Sequence, residues 1–243
     1  GVVEDRAGNS LTCCVPFIGF NSKVVKMIMT EVRSVSDSKN DLREYVEFLV
    51  LEEGNLAGVQ VLIGGEESKK YSFPAIDVKK GDLIVYHPEK VGEGIADELS
   101  EDITLCKHTD SNDNARDLWG CAEKSVIGNN DDIIILYDQV NDFVMDAVMF
   151  RKADTVAWSK NKQLAADFIN DAGIYDSSDI DNANYTKGGS APVSASAKHT
   201  LQRINTNDIL QKIQNDEEIE YPVKVDSESW QIVKGGFSAG VVE

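Results

Sequence analysis

Two short runs, each patterned as a β-strand and each carrying one glutamate, constrain this chain more than anything else in it. They lie within Met29–Val50, MTEVRSVSDSKNDLREYVEFLV. In the second run Val46, Phe48 and Val50 fall on one face and Tyr45, Glu47 and Leu49 on the other, because successive side chains of a strand alternate. Both faces are largely apolar, which predicts a central strand covered on both sides. The polar stretch Ser36–Asp41 reads as the connector between the runs.

The pattern continues through Val59–Ile63, Lys70–Phe73 and Leu83–Tyr86, with turns at Gly64-Gly65 and Lys80-Gly81-Asp82. The clearest hairpin pairs Ile133–Tyr137 with Phe143–Val148 around Asp138–Asp142. Asn141 is expected to take the left-handed conformation there, since asparagine enters that region more readily than most residues. His199–Asn205 reads as a further strand. An all-β chain follows, its β-pattern interrupted by two long stretches, 88–130 and 151–198, that carry short helices and stand as insertions against the family pattern described below. The first insertion is rich in Gly, Asp and Asn and reads as mostly irregular, anchored by Trp119. In the second, Ser159 is placed to cap a helix over Lys160–Ala172, with Leu164, Phe168 and Ile169 on one face and Gly173 ending it. Asp208–Asn215 is another short helical candidate.

The formal net charge of -18 works against nucleic-acid binding, which needs Lys and Arg to displace counterions from phosphates. It equally works against docking on anionic lipid. No apolar run approaches the roughly 20 residues of a spanning helix, so direct membrane insertion is not expected. The chain begins within a β-pattern and without an initiating Met, so a piece of a longer or processed protein is expected.

In order along the chain, these blocks resemble the lamin-tail domain family, an immunoglobulin-like β-sandwich. The family's entry, roughly "I-N-E-V … E-Y-V-E-L … L-x-G-W-x-L", is similar to Ile28–Val32, Glu44–Phe48 and Leu56–Val61. Phe73–Tyr86 (FPAIDVKKGDLIVY) is similar to its proline- and glycine-marked strand entry. Asp131–Phe150 (DDIIILYDQVNDFVMDAVMF) resembles "D-x-V-x-L-Y-D-x-x-G-x-V-V-D-x-V-x-Y", with Asn141 where glycine is usual. HTLQRIN resembles its "S-L-Q-R" strand, and Trp230–Glu243 its "W … S-P-G-x-x-N" ending, with Ala239 in place of proline and the last asparagine missing. The resemblance spans Met27–Glu243 in scattered blocks. Upstream, Asp5–Asn9 (DRAGN) resembles the last hairpin of bacterial immunoglobulin-like repeats. Residues 1–22 then read either as the tail of a preceding domain or as a native edge hairpin, with the sandwich over 23–243.

The resemblance implies a non-enzymatic role: an interaction or spacer module of a larger exported, cell-envelope protein, outside the cytoplasm, with a protein or cell-surface partner. An accessory domain of a secreted hydrolase or nuclease is the alternative. Glu31 and Glu47 invite a two-carboxylate hydrolase reading, because paired carboxylates divide acid and base roles when their environments differ. The weightier reading is structural, with backbone amides or Arg33, Arg43 or Arg203 as partners. His87, His108 and His199 are too scattered for a ligand set, and no nucleophile elbow or phosphate-binding glycine loop is present.

No resident cofactor is expected, with calcium as the one candidate. Asp110, Asn112 and Asn114 begin as an EF-hand would, but Ala115 and Cys121 stand where that loop needs glycine and glutamate. Asp138–Asp142 and Asp176–Asp181 are looser candidates. Trp119, Trp158 and Tyr175 are candidates for a carbohydrate platform. Cys106 and Cys121 bracket a polar loop; a disulfide there would be worth about 3 kcal/mol, and four independent thiols are the alternative. Cys13 and Cys14 are adjacent and, on one strand, would face opposite ways.

Overall fold

The computed structural model describes residues 2–12, 21–152, 157–175, 191–192, 196, 198–235 and 239–241. Two strands, β1 (Val2–Glu4) and β2 (Ser10–Thr12), pair only with each other. Their turn is tied by the Asp5 carboxylate, which accepts from the amides of Ala7 and Asn9, and Gly8 takes φ +83°.

The main body is a sandwich of two sheets. One runs β10–β9–β4–β3–β14–β15 and the other β13–β12–β11–β6–β7. The first contains β3 (Lys26–Arg33), β4 (Tyr45–Glu52), β9 (Leu83–Glu89), β10 (Ala115–Ala122), β14 (His199–Arg203) and β15 (Trp230–Lys234). The second contains β6 (Val59–Ile63), β7 (Tyr71–Ser72), β11 (Asp131–Asp138), β12 (Phe143–Arg151) and β13 (Ala191–Pro192). A two-stranded piece, β5 (Gly54–Asn55) and β8 (Asp77–Val78), closes one end. Among the described residues no helix is long and apolar enough to cross a membrane.

Between the sheets lies one apolar core that includes Met29, Val46, Phe48, Val50, Ile84, Leu118, Leu136, Val148 and Phe150. Each sheet is also covered on its far side. Helix α1 (Lys160–Asp171) lays Ala165, Ala166 and Ile169 on Ile133, Ile135 and Met149. Helix α2 (Thr206–Gln214) and the segment after it cover Ile28, Leu49 and Leu51 with Ile209, Ile213 and Val223. This double cover explains why β4 is apolar on both faces.

Several expectations need correction. The insertion 88–130 is irregular over most of its length, as expected, but it also holds β10, an edge strand paired in parallel with β9, which the pattern did not show. The buried stripe of α1 is Ala165, Ala166 and Ile169, while Leu164 is 60% and Phe168 39% exposed. The pitch of α1 brings the two alanines against the sheet and lets the larger side chains rotate outward. In the β11–β12 turn the left-handed residue is Asp142 (φ 53°), not Asn141. Asn141 instead donates its amide and its side-chain NH2 to Asp138.

The two sheets are joined by a buried ion pair. Strand β3 bulges between Met29 and Glu31, which turns the Met29 backbone toward the opposite sheet. Asp146 of β12 accepts from the Met29 amide (2.7 Å) and from Arg203 Nη2 of β14 (2.5 Å), while Arg203 Nε donates to the Met29 carbonyl (2.7 Å). Three of the sequence blocks described above meet at this one point.

Candidate functional site

The outer face of the six-stranded sheet carries a row that a sandwich would ordinarily leave to solvent. Register places Glu31 opposite Glu47, Glu47 opposite Val85, and Val85 opposite Asp117. One position further along stand Arg33, Tyr45, His87 and Trp119. The connection between β9 and β10 folds over the Asp117, Trp119 and Arg33 end of these rows, while Ala239 and Gly240 lie over the part at Glu47 and Val85. His87 and Asp117 are 0% and 1% exposed.

His87 Nε2 lies 2.7 Å from Asp117 Oδ1. The His87 ring stacks on Trp119 with centroids 4.0 Å apart, and His108 meets the same indole edge-on at 4.9 Å. Burial pushes His87 down to about 3, and it pushes Asp117 up to about 7. The pair is therefore a neutral imidazole against a carboxyl that is easily protonated, sealed from reactants. Asp110 joins Arg33 to the same lid: its Oδ2 accepts from Arg33 Nη2 and from the Arg43 amide, and its own amide donates to His108 Nδ1 (3.1 Å). Arg43 in turn pairs with Asp41.

The lid also terminates the sheet edge. Glu98 Oε2 accepts from the Asp117 amide (2.8 Å) and Asp97 Oδ1 from the Trp119 amide (2.7 Å). Glu98 Oε1 takes the amides of Leu105 and Cys106 as well. Arg116 donates to the carbonyls of Glu98 and Ser100. The outward-facing amides of Asp117 and Trp119 are thus occupied by carboxylates and closed to a further strand.

Glu31 and Glu47 are both buried, at 2% and 1% exposure. Glu47 accepts from the Thr30 hydroxyl (2.6 Å) and from the Gly240 amide (2.6 Å). Glu31 accepts from Gln202 Nε2 at 3.2 Å. The expected arginines pair elsewhere: Arg33 with Asp110, Arg203 with Asp146, and Arg43 with Asp41 and Glu89. Burial, with the Glu31 charge adding to it, pushes Glu47 up to about 8.

The other sequence candidates fall in separate places. The Asp110 carboxylate is taken up by Arg33 and Arg43, the Asn112 side-chain oxygen accepts from the Asn114 amide (3.0 Å), and Asn114 lies in a separate groove. Their oxygens do not converge. Asp138 spends its carboxylate on its own turn. Among the described residues no three His, Cys, Asp or Glu side chains are arranged to hold a metal. His87 and His108, far apart in sequence, do come together, with ring centroids 6.5 Å apart; His199 stands away from them on β14. Cys106 and Cys121 are both free, one buried and one exposed, so the disulfide expected between them is not formed. The edge strand β10 carries Cys121 outward while the Glu98 contact folds Cys106 inward. Trp119, Trp158 and Tyr175 are all buried, so none offers a face to a sugar. Cys13, Cys14 and Asp176–Asp181 lie outside the described residues.

The accessible concavity is elsewhere. A groove of about 1100 Å³ opens at the end of the sheet where β9 and β10 begin, between the β5–β8 piece and residues 99–103. Asn55, Asp77, Leu83, Leu99, Glu101 and Arg116 are among its lining residues. Leu99 is 59% exposed on its rim. The lining contains no histidine, cysteine or aromatic residue. Sequence reading did not find this groove, because its walls come from five separate segments. It also missed Asp97, Glu98 and Asp146, although Asp146 interrupts an otherwise apolar run and was legible as a buried charge in need of a partner.

Fold and site together define a mixed-sheet, immunoglobulin-like all-β sandwich with several ionisable groups, among them Glu47, His87, Asp117 and Asp146, built into its interior. The chain belongs to the TP_1001_2nd family, described as a protein second domain, whose model matches residues 25–232. It is 33% identical over 168 residues to an uncharacterized protein of Treponema pallidum (strain Nichols), a match covering 65% of this chain. The match spans 42% of that relative's length.

Proposed function

We propose that this chain is a non-catalytic interaction or spacer module of lamin-tail type, one part of a larger exported bacterial cell-envelope protein. One observation carries the reading. The paired acid–base groups of the outer row, His87–Asp117 and Glu31–Glu47, are at most 2% exposed, while the lining of the open groove has carboxylates and lysines but no histidine or cysteine. A reacting group needs hydrogen-bond reach of a substrate, and the buried pairs have none. The family description as a second domain, and the match to under half of a relative's length, support membership of a longer chain. The net charge of -18 favours a protein or cell-surface partner over nucleic acid. The groove is the surface assigned to that partner.

The test is an assay of the purified chain on chromogenic esters, glycosides and phosphodiesters, with His87→Gln and Glu47→Gln alongside. The expected result is no turnover in any of them, with both variants lowering the melting temperature. Turnover abolished by either substitution would sink the reading.

A further inference from the structure

Helix α1 buries its small side chains and exposes its large apolar ones. Ala165, Ala166 and Ile169 lie against β11 and β12, while Leu164 is 60% and Phe168 39% exposed. The helix is held from rolling over to bury them. It seats closely on the turn after β6, where a Cβ at Gly65 would stand 2.4 Å from the Asn161 carbonyl oxygen and 3.2 Å from Ala165 Cβ. Lys162 ties its first turn to the carbonyl and carboxylate of Asp131 (2.6 and 3.2 Å). Leu164 and Phe168, four positions apart, therefore form one outward stripe. The Phe168 ring meets half-buried Tyr137 at 5.8 Å, and Leu62, half-buried on the outer face of β6, packs against the same cluster under the helix.

The charges of α1 run against its dipole as well. Its first turn holds no acid and its last turn no base, although a helix N-terminus favours anions and a C-terminus cations. Lys160 opens the helix and Asp171 closes it, both exposed. Positions 160, 164, 168 and 171 fall on one face, so both charges flank the apolar stripe. The remaining charges are engaged nearby: Lys162 with Asp131, and Asp167 with Gln163.

We propose that this stripe is a self-association surface, on which α1 of a second copy of the chain packs antiparallel about a two-fold axis. Leu164 of each copy then lies against Phe168 of the other, and Lys160 of each faces Asp171 of the other, because both pairs are centred near Ala166. A two-fold contact uses one patch twice, so the stripe meets its own apolar and charged complement. The antiparallel partner also sets each negative helix C-terminus beside a positive N-terminus. Few side chains take part, so the dimer is reversible and concentration-dependent. No residue of the stripe lines the groove.

Sedimentation of the full chain tests this at about 0.15 M salt, where repulsion between two chains of net charge -18 is screened beyond about 8 Å. A concentration series reaching about 1 mM is expected to show a monomer–dimer equilibrium. Leu164→Gln should remove the dimer and leave the circular dichroism and melting temperature of the dilute chain unchanged, since that side chain is exposed in the monomer. Lys160→Asp and Asp171→Lys should each weaken association about tenfold, because each turns two attractive pairs into repulsive ones. An equal mixture of those two variants should associate at least as well as the wild type, every facing pair then being opposite in sign. A wild-type chain monomeric to about 1 mM would leave the stripe to a different partner and overturn the proposal. Association that Leu164→Gln leaves intact, or a mixture no better than its two components, would overturn it equally.

Discussion

Asp146 of β12 reaches across the sandwich to Arg203 of β14, and neither side chain has any exposed surface. The pair also holds both backbone groups of Met29 at the β3 bulge, so it fixes the register of one sheet against the other. Removing a single partner leaves the other charge buried and unmatched, which typically costs about 3–5 kcal/mol. Asp146→Ala or Arg203→Ala should therefore lower stability by that order in urea unfolding. Combining Asp146→Leu with Arg203→Met should recover most of the loss, and a double variant no better than the singles would show that the backbone contacts to Met29 matter more than the charges.

Acid–base linkage gives a second expectation. Burial raises Glu44 and Asp117 to about 7 and Glu47 to about 8, all above the usual carboxylate range of about 4. Groups raised on folding bind more protons in the native state, so their contribution is complete below the unfolded value and is lost as pH rises through the folded one. His87, pushed down to about 3, acts in the opposite sense and only below about pH 6.5, its unfolded value. The melting temperature should therefore fall steadily between about pH 6.5 and about pH 8.5. A flat or rising profile in that window would contradict the buried-carboxyl description.

The carboxylates that close β10 should be separable from the core by mutation. Asp97→Ala frees the Trp119 amide and Glu98→Ala frees the Asp117 amide. A buried donor left unsatisfied costs about 1–3 kcal/mol. An uncovered strand edge also invites pairing with a second molecule. Both variants should be less stable by that amount and should show concentration-dependent association in light scattering, whereas Asp102→Ala, in the same loop but away from the edge, should show neither.

Trp119 is the post on which the lid rests, through its stacking with His87 and its edge contact with His108. Trp119→Ala should cost about 3–5 kcal/mol, and limited proteolysis should then cut first between residues 90 and 114. Cleavage elsewhere first would place the anchor in a different contact.

The sandwich was legible in the sequence wherever strands obey the two-residue period or run apolar. The β11–β12 hairpin, β4 and the two helices among the described residues fall close to where their patterns place them. Strand β10 escaped because ARDLWGCA carries Arg116 and Asp117 at buried positions. Charges of that kind read as loop until their partners, the Glu98 and Ser100 carbonyls and His87, are known. The structural assignment of Glu31 and Glu47 named backbone amides correctly for Glu47, through Gly240. The arginines it offered pair elsewhere: Arg33 and Arg203 with aspartates more than 50 residues away, and Arg43 with Asp41 and Glu89. Long-range pairing of this sort leaves no periodic trace.

The pairing of β3 with β14 joins residues 171 positions apart, Glu31 and Gln202. During synthesis at the usual 5–20 residues per second, β3 waits roughly 10–35 s for its neighbour to leave the ribosome. Throughout that interval one flank of the nascent hairpin β3–β4 is open. A cell making this chain must keep it from sticking to others until its last quarter has been translated.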